Sequence, residues 1–284
     1  MKKITILLLA ALICMVPLFA GGAKENAAVA SDTVAAKLGI KTVTPGVFTV
    51  ATSPDFAPYE FYSIGADGTP TLAGFDISLA QYIADYLGLK LEIIPMDFDG
   101  TIMEVQQKNV DAGMAGYSPS PDRAEAMEFS AVYYTGGQSF VTTKANASKF
   151  QSLADTNNAK MKIGAQIGSI QVGLAQENSP KADIVQLSKV TDIIAELLNG
   201  SLDGAYIETA VAESYAKNYT DLAIVLPVPY DQEGSVVGIS KGNLALLEGV
   251  NQAIAQALSD GSMGKFIEQA NELASGKIIE GLLN

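Results

Sequence analysis

The chain has 284 residues, with 18 basic against 31 acidic side chains, one cysteine, and neither histidine nor tryptophan. Without histidine there is no Ser/His/Asp triad, no Cys/His pair and no imidazole metal ligand, and a lone Cys14 inside an apolar run supports neither a disulfide nor structural zinc. A formal charge of -13 argues against a nucleic-acid partner, because phosphate binding needs clustered lysine and arginine; a small-molecule partner is expected, with no metal and no cofactor.

Lys2 and Lys3 open the chain, Ile4 to Phe19 is almost wholly apolar, and Ala20-Gly21-Gly22-Ala23 supplies the small residues that a signal peptidase needs. The run is about 16 residues and contains Pro17, short of the ~20 a spanning helix requires, so residues 1–20 are expected to be a cleaved signal peptide. Bulky Leu12-Ile13 before Cys14 argues against a lipid anchor there. Cleavage removes two lysines and the one thiol, leaving a periplasmic or extracytoplasmic protein that is acidic and soluble. Residues 21–43, rich in Ala, Gly, Ser and Thr, read as a tether.

The first strand-like run is Val47 to Thr52. Beyond it the apolar period predicts a helix from Ile77 to Leu87 stopped by Gly88, a strand from Leu89 to Pro95, a helix near Thr101 to Lys108 and a strand from Ala112 to Tyr117. A second unit begins at Met161 to Ala165 and continues with a helix from Ser169 to Glu177, a strand from Ile184 to Leu187, a helix from Asp192 to Leu198 and a strand at Gly204 to Ile207. Val236 to Ser240 is strand-like, and Leu244, Leu247, Val250, Ile254 and Leu258 mark C-terminal helices. Strands alternating with helices imply mainly parallel sheets, and the length suits two lobes.

Ser118-Pro119-Ser120-Pro121-Asp122-Arg123 reads as a helix start, with Ser120 as N-cap and Pro121 at the first helical position. Arg123 opposes the helix dipole there, which fits a cation waiting for an anion; an exposed arginine paired with a nearby Glu is the ordinary alternative. Gly168-Ser169 ends a strand and opens a helix whose free amides attract anions.

Three stretches carry a resemblance to a known family: Ser53-Pro54-Asp55-Phe56-Ala57-Pro58-Tyr59-Glu60-Phe61, Gly74-Phe75-Asp76-Ile77-Ser78-Leu79-Ala80, and Pro95-Met96-Asp97-Phe98 through Gln107-Lys108-Asn109-Val110-Asp111 to Arg123 and Phe129-Ser130. Together they resemble the extracytoplasmic solute-binding proteins of ATP-driven importers for polar amino acids (solute-binding family 3), the last stretch being similar to glutamine-binding members. Ser78 departs from the usual Asp. The resemblance implies that Arg123 holds a ligand α-carboxylate, with Ser118 and the Gly116 backbone beside it, and that Ser169 and Ile170 complete that site from the second lobe. It implies that Glu208 receives the α-ammonium and that Phe56 and Phe98 flank the ligand side chain. A solvated strand-end carboxylate for Glu208, and ordinary core packing for each Phe, are the competing readings. Ser53 stands where relatives carry Asp, and Gln166 and Ile207 replace a Lys and a His, so a neutral L-amino acid, polar or aromatic, is expected.

The expected fold is thus α/β, the two-lobe periplasmic-binding-protein type II arrangement. Lobe 1 would hold 44–138 plus 232–284 and lobe 2 139–231, with crossings near Gln138 to Thr143 and Pro227 to Asp231. The partners implied are an amino acid and the permease of an ATP-binding-cassette importer with its cytoplasmic ATPase; the protein itself is expected to be a monomer with no catalytic residues. A dehydratase acting on cyclohexadienyl acids, built on the same scaffold, is the competing function, and a receptor's sensing module a third.

Overall fold

Val47 to Thr52 becomes the strand that the sequence predicts, and the computed structural model builds the first sheet around it. Residues 32–65, 67–231 and 234–275 are described; the expected signal peptide and the first part of the tether lie outside them. In chain order, α1 (Val34–Leu38) precedes β1 (Val47–Thr52), and β2 (Asp55–Phe56), β3 (Glu60–Ile64) and β4 (Pro70–Ala73) form a small antiparallel sheet. Then come α2 (Phe75–Leu87), β5 (Lys90–Pro95), α3 (Phe98–Gln106), β6 (Ala112–Gly113), α4 (Pro121–Ala124) and β7 (Met127–Phe129). The chain crosses to β8 (Gln138–Thr143), β9 (Lys162–Gln166), α5 (Ile170–Asn178), β10 (Asp183–Leu187), α6 (Val190–Leu198), β11 (Gly204–Glu208), α7 (Thr209–Asn218) and β12 (Leu222–Val228). It returns for β13 (Gly238–Ser240), α8 (Leu244–Ser259) and α9 (Ser262–Ala274).

Both five-stranded sheets follow one plan. The first runs β5-β1-β6-β13-β7 and the second β10-β9-β11-β8-β12. In each, three parallel strands are followed by an antiparallel one: β1 pairs parallel with β5 and β6, and β13 joins β6 antiparallel. Likewise β9 pairs parallel with β10 and β11, and β8 joins β11 antiparallel. Strand order therefore reverses beside β1 and again beside β9, and a crevice opens at the carboxyl ends of the strands at each reversal. Helices cover the faces; α2 buries Phe75, Leu79, Ile83 and Leu87, and Gly88 closes it by donating its amide to Ala84 and Asp85 carbonyls.

Two expectations are corrected here. Gln138–Thr143 is not a crossing but β8, paired on both sides in the second sheet, and the crossing lies just before it at 130–137. The return crossing, described at 229–231 and 234–237, runs beside it: the Val237 carbonyl accepts the Ser130 amide at 3.0 Å, the Ser235 carbonyl accepts the Tyr133 amide at 3.0 Å, and the Ser235 amide donates to the Tyr134 carbonyl at 2.7 Å. Two adjacent crossing segments of this kind are where a hinge would lie. The expected strand Ala112–Tyr117 also stops at Gly113, because the chain turns there toward the cleft.

The tether is structured in its second part. Thr33 caps α1 by accepting the Ala36 amide, Ala35 is buried, and Val34 and Ile40 pack against the core. Asp111 ties down the segment that follows: one carboxylate oxygen accepts the Val43 amide at 2.8 Å, the other the Thr49 amide and hydroxyl at 2.8 and 2.6 Å. Asp111→Ala leaves the buried Thr49 amide and hydroxyl without this acceptor, so we expect a loss of about 2 kcal/mol and a fall of several degrees in the thermal midpoint, read by circular dichroism. An unchanged midpoint would mean that the segment contributes nothing to stability.

Candidate ligand-binding site

Ser120 caps α4 by accepting the Arg123 amide, with Pro121 at the first helical position, as the sequence predicts. The dipole argument for Arg123 fails, however, because α4 is four residues long and Arg123 lies in its last turn as much as in its first. What marks Arg123 is its burial. The residue is 8% exposed, its guanidinium lies over the rings of Phe98 and Tyr117 at 5.6 and 5.8 Å, and burial pulls its pKa down. One of its terminal nitrogens donates to the Ser118 carbonyl at 2.9 Å and the other reaches across the cleft to the Gly168 carbonyl at 2.7 Å. No carboxylate balances it: among the described residues the ion pair found is Lys241 with Glu128 at 3.4 Å, elsewhere on the surface. Ser118 thus supports Arg123 through its carbonyl.

Gly168 leads into α5 from the other lobe. Ser169 is the N-cap residue, yet its hydroxyl turns back to the Gln166 carbonyl at 2.7 Å and caps no amide. The first-turn amides of α5 begin at Ile170 and form the positive end of that helix, the Val172 amide donating back to the Ser169 carbonyl at 3.3 Å.

Glu208 ends β11 and caps α7. Its Oε2 accepts the Val211 amide at 2.9 Å, while Oε1 is buried with no hydrogen-bond partner. Burial, opposed by the Val211 amide, pushes the carboxyl up from 4.5 to about 7. Gly136 makes room for it, since a Cβ there would stand 2.3 Å from Oε1.

Phe56 lies 5.2 Å from Tyr59, ring centre to ring centre, and Phe98 meets Tyr117 edge-on at 5.7 Å. Gly116 sits beneath Phe56 with φ +58, and a Cβ would come 2.8 Å from the ring. Its amide is already given to Asp76 Oδ2 at 3.0 Å, so the expected Gly116 backbone contact is reduced to its carbonyl. That same Asp76 oxygen accepts the Tyr133 hydroxyl at 2.9 Å. Glu60 lies beside Asp76 with no exposed surface on either; both Glu60 oxygens and Asp76 Oδ1 lack donors. Burial and the neighbouring acid push the Glu60 carboxyl well above the usual carboxylate range.

One cavity between the lobes is lined by Phe56, Phe98, Gly116, Ser118, Arg123, Gln166, Ser169, Ile170 and Glu208. Ser53 alone of the expected set stays outside it, its hydroxyl donating to Asp55 Oδ1 at 2.8 Å. Sequence reasoning missed Tyr59, Gln138, Tyr230 and Ser235 in the lining, which also holds Gln171 of the Gly168-Ser169-Ile170-Gln171 loop. The amide of Gln171 donates to Gln138 Oε1 at 2.8 Å, and the Tyr230 hydroxyl to the Gly136 carbonyl at 2.9 Å. Asp55 was also missed; its carboxylate crosses the cleft to the Gln166 amide and to the Val190 backbone amide at the start of α6.

The chain is similar in sequence and fold to known proteins. The sequence model of bacterial extracellular solute-binding proteins, family 3, matches residues 48–271. The chain is 32% identical to the arginine-binding extracellular protein ArtP of Bacillus subtilis, over 76% of this chain and 82% of that one. It is 28% identical to the glutamine-binding protein GlnH of the same organism, over 92% and 94%. A crystal structure of an amino-acid ABC-transporter substrate-binding protein from Streptococcus pneumoniae, bound to L-arginine, superposes with a TM-score of 0.78 at 33% identity, covering 82% of this chain and 97% of that one. A cyclohexadienyl dehydratase of Pseudomonas aeruginosa is also similar, 26% identical over 66% of this chain and 68% of that one.

Proposed function

Because the chain belongs to family 3 of the bacterial extracellular solute-binding proteins, we propose that its interlobe cavity captures an L-α-amino acid and presents it to the membrane permease of an ABC importer. One observation carries this reading. A buried guanidinium without a counter-ion and a buried carboxylate with a free oxygen line the same cavity without pairing with each other, which suits a zwitterion. Arg123 and the α5 amides would take the α-carboxylate, Glu208 the α-ammonium, and Phe56 and Phe98 would flank the side chain. Because the ligand would touch both lobes, its binding favours the closed form about the hinge, and the closed form is what the permease would engage.

Among the described residues Glu208 is the one acid lining the cavity, which supports a neutral side chain. Similarity to arginine-binding relatives supports a guanidinium instead. The mature protein, unfolded and refolded to strip captured ligand, should be heated with each of the twenty amino acids. A true ligand at a hundred times its dissociation constant adds about 2.7 kcal/mol, a shift of several degrees. No shift with any of them would sink the proposal.

A dehydratase would need a proton donor or acceptor at the carbon skeleton of its substrate. Glu208, the single acid in the lining, is already assigned to the ammonium. Product formed from arogenate or prephenate would reverse that assignment.

A further inference from the structure

Asp55 lies behind the cavity wall and determines what that wall offers. Its Oδ2 accepts one amide hydrogen of Gln166 with a separation of 3.2 Å, and the Ser188 carbonyl accepts from the same nitrogen at 3.1 Å. A reversed amide would set the Gln166 carbonyl against two acceptors, so its orientation is fixed. Both hydrogens are therefore spent behind the wall, and Oε1 is the polar atom left for a ligand. Asp55 itself is held by the Ser53 hydroxyl, the Val190 amide and, through its backbone carbonyl, the Tyr215 hydroxyl at 2.9 Å. Phe56 follows Asp55 directly and lines the cavity with Gln166, which puts this wall at the ring-lined part of the cavity.

We propose that Asp55, acting with the Ser188 carbonyl, is a positioning residue for specificity: it turns Gln166 so that the wall accepts hydrogens and never donates them, and the ligand is an amino acid whose side chain ends in a donor, a carboxamide or a guanidinium rather than a carboxylate. The inference rests on the amino-acid reading above and narrows it. A carboxylate in place of the carboxamide would meet an oxygen lone pair with the charge of Asp55 behind it, and would be buried unpaired. An aliphatic end would leave Gln166 Oε1 without a donor.

Calorimetric titration of the stripped mature protein with glutamine, arginine, glutamate and leucine tests this. Glutamine or arginine should bind at least about 100-fold more tightly than glutamate and leucine. Glutamate or leucine binding as well as both would overturn the inference while leaving the amino-acid reading intact; failure of all twenty amino acids would overturn both. In Asp55→Asn the new amide donates toward Gln166 and frees it to turn, so the preference over glutamate should shrink by about tenfold or more. An equal loss for every ligand, with the preference unchanged, would make Asp55 a closure contact only and overturn the proposal. Gln166→Leu, which leaves Asp55 in place, should bring glutamine and arginine down to the affinity of leucine; a retained preference would likewise overturn it.

Discussion

Replacing Arg123 with methionine is expected to abolish amino-acid binding while leaving the folded protein about as stable as before. The binding loss follows from the bond that disappears: a buried guanidinium fork on a carboxylate, where truncating one partner strands the other charge, costs about 4 kcal/mol, or roughly 1,000-fold in affinity. The stability argument runs the other way. Among the described residues Arg123 has the carbonyls of Ser118 and Gly168 as side-chain hydrogen-bond partners and no counter-ion, so its burial carries a desolvation penalty that methionine removes. Methionine also keeps the contact with Phe98 and Tyr117 that the guanidinium now makes. Arg123→Lys should fall between the two, keeping the charge but losing the planar fork, with binding weaker by about 10- to 100-fold. Calorimetry and thermal unfolding on the three proteins decide it. Undiminished affinity in the methionine variant removes Arg123 from the site, and a collapse of its thermal midpoint makes it a structural residue.

The sequence reveals those parts of the molecule whose cause is local. Val47 to Thr52 is bounded as a strand by its own apolar run, and Gly88 stops α2 by its own backbone freedom. Where the cause is distant, the pattern misleads. Met114, Ala115 and Tyr117 are apolar and buried like a strand, but they bury in a turn, because β13 pairs only as far as Gly113 and Asp76 takes the Gly116 amide. Gln138–Thr143 resembles a connector until both of its neighbours in the second sheet are known. The α1 helix is only five residues long, too short to stand alone, and is stabilised by packing that no window of sequence contains. The site divides in the same way. Arg123, Ser169 and Glu208 follow turns and strand ends that have local signatures, whereas Asp55 acts through Gln166 and Val190, 111 and 135 residues away. Nothing in Ser53-Pro54-Asp55 distinguishes a solvated loop acid from one facing a helix start in the other lobe.

Affinity for the amino acid is expected to fall as the pH drops through 7, and Glu208 is the cause. In the empty closed protein burial raises its carboxyl to about 7, so half of it is protonated at that pH. A bound ammonium stabilises the ionised form and draws the value down, so binding expels a proton whenever Glu208 holds one. Above about pH 8 the affinity should be level; below 7 it should decline by up to about tenfold per unit until the value of the bound form is reached. The neighbouring phenols Tyr59, Tyr134 and Tyr230 are all pushed upward by burial and remain neutral across this range, and Asp55 and Asp76 titrate lower, near 6. Titration in buffers of differing ionisation enthalpy counts the proton directly. Glu208→Gln should flatten the profile and weaken α-amino acids by about 100-fold or more, while their deaminated analogues lose little. Stability without ligand moves in the opposite sense. A carboxyl whose folded value is raised contributes stability that is complete below its unfolded value of 4.5 and is lost as the pH rises through about 7. At pH 8 the empty Gln variant should therefore be the more stable protein, by up to about 3 kcal/mol. An affinity that stays level from 6.5 to 8, or equal losses for amino acids and their deaminated analogues, would take the ammonium away from Glu208.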